Sequence, residues 1–268
     1  MCEFCTQHGE GKKWYLAMEN YSMELLEQHD RRRYAGEFLN GFHKRVPRSL
    51  EQLDTIRKTP LMRLAKPLLT RHQKADHYGQ VVAMEDVEKI GELVEVAVRR
   101  PCVCRRVTTG NTNARYCYGL TMDKQLMEAL DDSFSLELLT KEEALDAIRK
   151  LDKEGLVHSV WTFKTPFIGG LCNCDQDCMA YRITHARGDY PVMFRAEWVA
   201  EVITESCNGC RQCMRRCQYG AIRYSSNNKK VVIDPTACYG CGVCRSICQL
   251  QAIRLLPRES VKEAAGVW

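Results

Sequence analysis

The sequence predicts an α+β protein with a helical N-terminal region, a mixed cysteine-rich middle module and a C-terminal domain with a pseudo-twofold repeat. Three observations support this prediction. Apolar residues recur at helical spacing within residues 14–80. Residues 221–234 alternate around an Asn-Asn pair, which is typical of a β-hairpin. Four cysteines near the C-terminus repeat at an offset of 31 residues. We therefore expect four parts along the chain, with the bounds 1–80, 81–204, 205–257 and, for a short tail, 258–268.

The N-terminal region is expected to be mostly helical because its apolar residues fall three or four positions apart. Two prolines, Pro60 and Pro67, interrupt the later part of this region and predict short helices there. The apolar positions that carry the pattern are Met18, Tyr21, Leu25, Leu26, Tyr34, Phe38 and Leu39.

A lone C-x-x-C pair, Cys2 and Cys5, opens the chain and is followed by His8. Such a pair is a weak signal on its own. It is compatible with half of a zinc site, with a redox pair or with two ligands of a metal cluster.

Two helices are predicted in the middle module, residues 81–204. The first has an apolar face and is expected to run until Pro101 ends it. The second begins at a capping box formed by Thr140 and Glu143, and Gly155 is suited to end it. The face of the first helix consists of Met84, Val87, Ile90, Val94 and Val98.

Six cysteines of the middle module form two similar patterns, each a C-x-C pair with one further cysteine downstream. A C-x-C pair chelates a metal well but makes a strained disulfide. Buried inert thiols and a zinc site are the alternatives, and an iron–sulfur cluster is the favoured interpretation. Together with Cys2 and Cys5, these cysteines could ligate two further cubane clusters. The six, called the middle cysteines below, are Cys102, Cys104, Cys117, Cys172, Cys174 and Cys178.

The C-terminal repeat contains C-x2-C-x2-C-x3-C twice, first in residues 207–217 and again in 238–248. Disulfides would need an oxidising compartment, which nothing in the sequence indicates. Zinc sites do not need a third cysteine in register. The doubled spacing is typical of two 4Fe-4S clusters.

Residues 205–257 resemble the bacterial-type dicluster ferredoxin domain, which has this cysteine spacing. In that family, three cysteines of one stretch and the last of the other hold each cluster. A proline usually follows the last cysteine of each stretch, whereas this chain has Gln218 and Gln249. The resemblance implies that Cys207, Cys210, Cys213 and Cys248 hold cluster I. It also implies that Cys217, Cys238, Cys241 and Cys244 hold cluster II.

A looser resemblance extends over residues 95–257. The C-x-C-R motif, the helix before Gly155, the C-N-C motif and the dicluster domain occur in this order in little-studied ferredoxin-domain proteins of anaerobes. Many of those proteins have more cysteines after C-N-C, where this chain has residues 175–177. The resemblance implies redox chemistry. Exposed cubane clusters would also favour an anaerobic or low-oxygen setting.

Charge and composition exclude several classes of function. The formal net charge is +5, but each oxidised cubane with its thiolates carries about −2 in total, so two clusters would bring the charge to about +1. We therefore expect no nucleic-acid partner. Neither a signal peptide nor a membrane-spanning run is recognisable, which predicts a cytoplasmic protein. The basic run of residues 31–33 is a candidate docking patch for an acidic partner.

The expected function is electron transfer. Motifs for nicotinamide, flavin or ATP binding are not recognisable, so the cysteines are the expected cofactor ligands and no catalytic residue is assigned. We expect two 4Fe-4S clusters, and up to four in total. The protein would be an oxidoreductase subunit that passes low-potential electrons from a reductase to a partner oxidoreductase.

Two alternatives to this function remain at the level of the sequence. The first is a redox protein with a structural zinc ion in the middle module. The second is an enzyme whose middle cluster has an open iron position. Its acid–base candidates would be Asp175, Asp177, His158 and His185.

Overall fold

The computed structural model describes residues 12–56, 59–94, 96–130, 135–188 and 190–268. Cys2, Cys5 and His8 lie outside the described residues. The α+β prediction is confirmed, because both helices and strands contribute to the fold. The described helices are α1 Met23–Glu27, α2 Arg31–Ile56, α3 Pro60–Asp76, α4 Met84–Leu93, α5 Val103–Thr108, α6 Lys124–Glu128, α7 Lys141–Glu154, α8 Met179–Tyr181, α9 Gln212–Arg216 and α10 Val243–Ser246. The described strands are β1 Gly79–Val81, β2 Val96–Arg100, β3 Cys117–Leu120, β4 Glu137–Thr140, β5 Val157–Thr162, β6 Ile168–Cys174, β7 Met193–Phe194, β8 Trp198–Val202, β9 Ile222–Ser225, β10 Lys230–Ile233 and β11 Ile253–Pro257.

The N-terminal region forms longer helices than the sequence predicted. Pro60 and Pro67 both lie within α3, which runs for 17 residues, so the expectation of short helices there is wrong. Pro60 occupies the first turn, where a backbone N–H has no helical partner. Pro67 lies inside the helix and removes one backbone hydrogen bond without ending it.

A seven-stranded sheet forms the centre of the molecule, with the strand order β4-β2-β3-β6-β5-β1-β7. Neighbouring strands are antiparallel except β1 and β7, which are parallel. On one face, Val87 and Ile90 of α4 and Ile148 of α7 pack against Val160 and Leu171 of the sheet. This burial of apolar area holds the two helices on the sheet.

Both ends of α7 lie where the sequence predicts them. Thr140 accepts from the backbone of Glu143, and the Glu143 side chain accepts from the backbone of Thr140, so the capping box is confirmed. Gly155 ends the helix with a φ of 95°, a left-handed conformation that favours glycine. The predicted stop is confirmed as well.

The helix predicted up to Pro101 is wrong in its second half. Helix α4 ends at Leu93, and Val96–Arg100 form strand β2. The valines at 94, 96 and 98 also satisfy the two-residue period of a strand. Pairing with β3 on one side and β4 on the other decides for the strand.

The C-terminal part contains two short antiparallel strand pairs. Strands β9 and β10 form the predicted hairpin with its turn at 226–229, and β11 pairs with β8. Helices α9 and α10 begin 31 positions apart, in keeping with the repeat. Arg258, fully buried, donates to the carbonyl oxygens of Ala196, Trp198 and Cys238 and ties the residues after β11 to the repeat. In the part of the chain that the structure describes, no helix is long and apolar enough to cross a bilayer.

Candidate metal centres

The first C-terminal cavity, called cavity I, has a volume of about 120 Å³. The loop that carries its first cysteines turns at Gly209, which has a φ of 71°. A Cβ at this position would collide with the carbonyl oxygen of Lys229. The side chain of Cys210 is exposed, so cavity I lies at the surface. Its cysteines are Cys207, Cys210, Cys213 and Cys248.

The second C-terminal cavity, called cavity II, is smaller, at about 20 Å³. Its loop turns at Gly240, where a Cβ would collide with the carbonyl oxygen of Trp198. Each cavity thus takes three cysteines from one stretch and one from the other, the grouping that the ferredoxin resemblance implies. The cysteines of cavity II are Cys217, Cys238, Cys241 and Cys244.

Backbone N–H groups approach the sulfur atoms of both cavities. Ala200 and Gly240 each donate to the Sγ of Cys238 over 3.4 Å, and Ala252 donates to the Sγ of Cys248 over 3.3 Å. Such donors favour thiolates and tune a bound cluster. Burial raises the pKa of Cys213 to about 11, so a bound metal would have to displace its proton. The donor set fits iron–sulfur clusters.

Residues 200–249 match the family model of the 4Fe-4S dicluster domain. This part of the chain is a ferredoxin-type domain. The match does not include the residues before 200, and no curated protein and no solved structure matches the chain.

All six middle cysteines line one cavity of about 230 Å³, called the middle cavity. It lies on the sheet face opposite α4 and α7. Cys172 and Cys174 are two residues apart in β6 and so point to the same face, and Cys117 of β3 pairs directly with Cys172. Cys102 and Cys178 stand immediately before α5 and α8, and Cys104 lies in the first turn of α5. The sequence separates these residues widely, and the sheet brings them together.

The middle thiols lie close to one another. Cys102 and Cys117 have their sulfur atoms 3.2 Å apart. The thiol of Cys172 interacts with that of Cys117, and the thiol of Cys178 interacts with that of Cys174. Burial raises the pKa of Cys104 to about 12. Among the described residues, no three His, Cys, Asp or Glu side chains are arranged to hold a single metal ion.

Two buried arginines give the middle cavity a positive wall. Arg105 is 3% exposed, donates to the Sγ of Cys102 over 3.6 Å and forms an ion pair with Asp175 at 2.7 Å. Arg100 is 4% exposed, and its Nη1 has no hydrogen-bond partner in the described part of the chain. A buried guanidinium nitrogen without a hydrogen-bond partner is costly. Thiolates bound to an iron–sulfur cluster would place negative charge beside it, so the middle cavity fits an anionic cluster.

The outer wall of the middle cavity is apolar and aromatic, with one histidine. His77 has its ring 4.2 Å from the ring of Phe38 and 5.1 Å from that of Trp161. Its Nδ1 donates to the carbonyl oxygen of Thr162 over 2.5 Å. Burial lowers the pKa of His77 to about 4. The apolar part of the wall contains Phe38, Phe42, Val46, Leu50, Trp161, Phe163 and Ile183.

Sequence reasoning missed both His77 and Arg100. His77 has no neighbour at ligand spacing, so no local signal marks it. Arg100 directly precedes Pro101 and the first C-x-C pair, and this proximity to the thiols was the available signal. Only the three-dimensional structure reveals that its Nη1 has no hydrogen-bond partner among the described residues.

The four residues predicted as acid–base candidates lie away from the lining of the middle cavity. Asp175 is paired with Arg105, and Asp177 is 3.0 Å from Arg182. His158 is fully buried, with its Nδ1 2.6 Å from the Oδ1 of Asn173 and its Nε2 3.4 Å from Asp152. The ring of His185 packs on Tyr181 and Tyr219.

The basic run of residues 31–33 does not form a free patch. Arg31 is 2% exposed and donates to the carbonyl oxygens of Leu25 and Lys164, among others. Arg32 forms an ion pair with Asp123, and Arg33 with Asp30. The expectation that Arg31 serves docking is wrong, because the fold uses this side chain to bind backbone.

One apolar core joins the middle module to the ferredoxin-type domain. Tyr219 and Tyr239, which follow cysteines of the repeat, stack with their ring centres 3.8 Å apart. This core includes middle cysteines and cysteines of cavity II. The cysteines that belong to it or pack against it are Cys172, Cys174, Cys178, Cys217 and Cys241.

The contacts of Gln218 explain why glutamine stands where a proline is usual. Its Nε2 donates to the carbonyl oxygen of Gly155 over 3.1 Å and to that of Cys174 over 3.5 Å. Its own carbonyl oxygen accepts from the hydroxyl of Tyr181 at 2.7 Å. A proline has no side-chain donor, so glutamine is the residue that can connect cavity II to the middle module.

Proposed function

We propose that the protein transfers electrons through three neighbouring iron–sulfur sites, in the order cavity I, cavity II and middle cavity. The family match to residues 200–249 supports iron–sulfur electron transfer by the C-terminal part. The observation that carries the proposal further is the shared core, in which Tyr219 lies among cysteines of both cavity II and the middle module. Electron tunnelling is fast only over short gaps, and packed contact keeps this gap short.

The proposed ligands of each cluster are the cysteines that line the corresponding cavity. Cys207, Cys210, Cys213 and Cys248 hold cluster I, and the four cysteines of cavity II hold cluster II. The six middle cysteines hold at least one further iron–sulfur cluster, with Arg100 and Arg105 beside its negative charge. Cys2 and Cys5 are candidates for completing a fourth cluster.

The exposure of the cysteine side chains indicates where electrons enter the protein. Cavity I is the surface site, because Cys210 is exposed, whereas Cys238 and Cys244 of cavity II are buried. A protein reductase would dock at cavity I and reduce cluster I. Electrons would then pass to cluster II and on to the middle cluster, which serves a partner oxidoreductase or a bound molecule.

Electron paramagnetic resonance of the fully reduced protein, purified without oxygen, tests this proposal. Neighbouring reduced clusters broaden each other's signals, so we expect signals beyond those of two coupled clusters. In the variant Cys117→Ala/Cys174→Ala, these additional signals should disappear while the coupled pair of the ferredoxin-type domain remains. A wild-type spectrum identical to that of the variant would overturn the proposal.

A matched control comes from the cysteines of cavity I. Cys210→Ala should remove or alter the signals of cluster I and leave those of the middle cluster. This result would show that the signals assigned to the middle module do not arise from damage to the repeat.

A further inference from the structure

The middle cavity is larger than both C-terminal cavities. Its volume is about 230 Å³, whereas cavity I has about 120 Å³ and cavity II about 20 Å³ around four cysteines each. With one cluster held by the middle cysteines, part of this volume is left to the apolar residues of the lining.

Aromatic side chains from two elements line the apolar wall. Phe38 and Phe42 come from α2, and Trp161 and Phe163 come from β5 and the residue after it. Aromatic rings in such a wall favour stacked or edge-on contacts with another ring. The volume in excess of that of cavity I, about 110 Å³, is somewhat smaller than the ~150 Å³ that accommodates a benzene molecule in an engineered protein cavity.

Solvent reaches this space past partly exposed residues. Val46 and Leu50 of α2, Gln73 of α3 and Tyr190 are all partly exposed, and all line the middle cavity. A small molecule could therefore enter between α2, α3 and the segment around Tyr190 without passing the cysteines.

His77 adds a polar ring to the apolar part of the wall. Its Nδ1 must carry a hydrogen, because the carbonyl oxygen of Thr162 can only accept. Burial lowers the pKa of His77 to about 4, so the ring is neutral near pH 7 and Nε2 is an acceptor. A bound molecule with one O–H or N–H donor can satisfy that acceptor.

We propose that the apolar side of the middle cavity binds a small neutral aromatic molecule with one hydrogen-bond donor, of the phenol or indole type, beside the cluster held by the middle cysteines. A neutral molecule fits better than a carboxylate, because Arg105 is already paired with Asp175 and the Sγ of Cys102, and a carboxylate would lose its hydration among phenylalanines. The inference rests on the proposed function, since it places the molecule where electrons reach the end of the pathway.

Proton NMR relaxation of 4-methylphenol, measured with the reduced and fully loaded protein, tests this inference. Unpaired electrons of a nearby cluster shorten the relaxation times of a bound probe, so we expect a saturable enhancement at pH 7. Benzoate should show at least about tenfold weaker binding. The absence of enhancement with 4-methylphenol, or tighter binding of benzoate, would overturn the inference.

Two variants locate the probe. Val46→Trp fills the entrance and should weaken binding at least about tenfold. The matched control is Leu68→Trp on α3, because Leu68 is 71% exposed and lies outside the cavity lining. Equal binding by the wild type and Val46→Trp would contradict the inference.

The hydrogen bond to His77 has its own test. His77→Phe should weaken binding of 4-methylphenol roughly 2- to 12-fold, the equivalent of one ordinary hydrogen bond, and leave toluene binding unchanged. Equal losses for both probes would contradict the role given to His77.

The electron paramagnetic resonance spectrum of each sample separates the two proposals. If the middle cluster signals are present and no probe binds, only the binding inference fails. If those signals are missing, the proposed function fails irrespective of the probe.

Discussion

Replacing Arg100 with methionine should lower the reduction potential of the middle cluster. Arg100 is buried beside the middle cysteines and has an unpartnered Nη1 in the described part of the chain. Burial raises the pKa of the Cys104 thiol to about 12, and the charge of Arg100 acts in the opposite direction. Arg100 therefore favours negative charge in the cavity, and an added electron is such a charge.

The size of the effect follows from the distance. Arg100 and Cys102 are two residues apart, so their Cα atoms are within about 7 Å. A unit charge at ~8 Å in a medium of effective dielectric ~20 contributes about 2 kcal/mol. For one electron, this energy corresponds to roughly 90 mV, since 59 mV is a tenfold change in the equilibrium constant. We expect a decrease of roughly 50–100 mV, because relaxation and solvent reduce the ideal value.

The assay is a redox titration of the anaerobic protein followed by electron paramagnetic resonance. Arg99→Met is the matched control, because Arg99 is the preceding residue of β2 but forms a partly exposed ion pair with Glu137. Arg100→Lys should keep a potential near that of the wild type. An unchanged potential in Arg100→Met, or an equal decrease in Arg99→Met, would refute the reasoning.

Three further outcomes are expected from single substitutions. Gly155→Ala should lower the free energy of unfolding by about 1 kcal/mol, because the φ of 95° strains any other residue, and an unchanged urea midpoint would contradict this. Gly209→Ala should lose cluster I, about four irons per chain, because the new Cβ meets the carbonyl oxygen of Lys229. The control Gly220→Ala also has a positive φ, of 66°, but has open space around the new Cβ, so it should retain that iron. Because burial lowers the pKa of His77 from 6.5 to about 4, the unfolded chain binds this proton first, and stability should fall as the pH decreases from 6.5 towards 4. Urea unfolding of His77→Phe should show a weaker decline over this window than the wild type, and parallel curves would contradict the assignment.

Local sequence signals were sufficient where the structure depends on neighbouring residues. The capping box of Thr140 and Glu143 involves residues three apart, and the hairpin around residues 226–229 involves strands joined by a short turn. The resemblance of residues 205–257 to dicluster ferredoxin domains implied the same grouping of cysteines that the two C-terminal cavities have. The ligand assignments themselves stay predictions until metal is measured.

Long-range packing decided the features that the sequence did not reveal. Residues 96–100 have an apolar pattern that suits a helix or a strand, and pairing with β3 and β4 made the choice. Arg31 looked like part of a surface patch, but its partners Lys164 and Thr165 are more than 130 positions away in the sequence. The acceptors of Gln218 are likewise distant, at Gly155 and Cys174. No local pattern encodes such contacts.

The middle cysteines depend on both local sequence signals and long-range packing. Their C-x-C spacing indicated a metal-binding role, and the structure brings all six to one cavity. The aromatic wall and the unpartnered Arg100 come from other elements, so neither could be inferred from the cysteine pattern. The proposed binding of an aromatic molecule rests on these features, which the cysteine pattern does not encode.

The most direct test of this account is the content of iron, acid-labile sulfide and zinc in the anaerobically purified protein. We expect about 12 to 16 irons per chain with matching sulfide, and about 8 in Cys117→Ala/Cys174→Ala. About 8 irons in the wild type, with stoichiometric zinc, would contradict the claim that the middle cysteines extend the electron-transfer pathway.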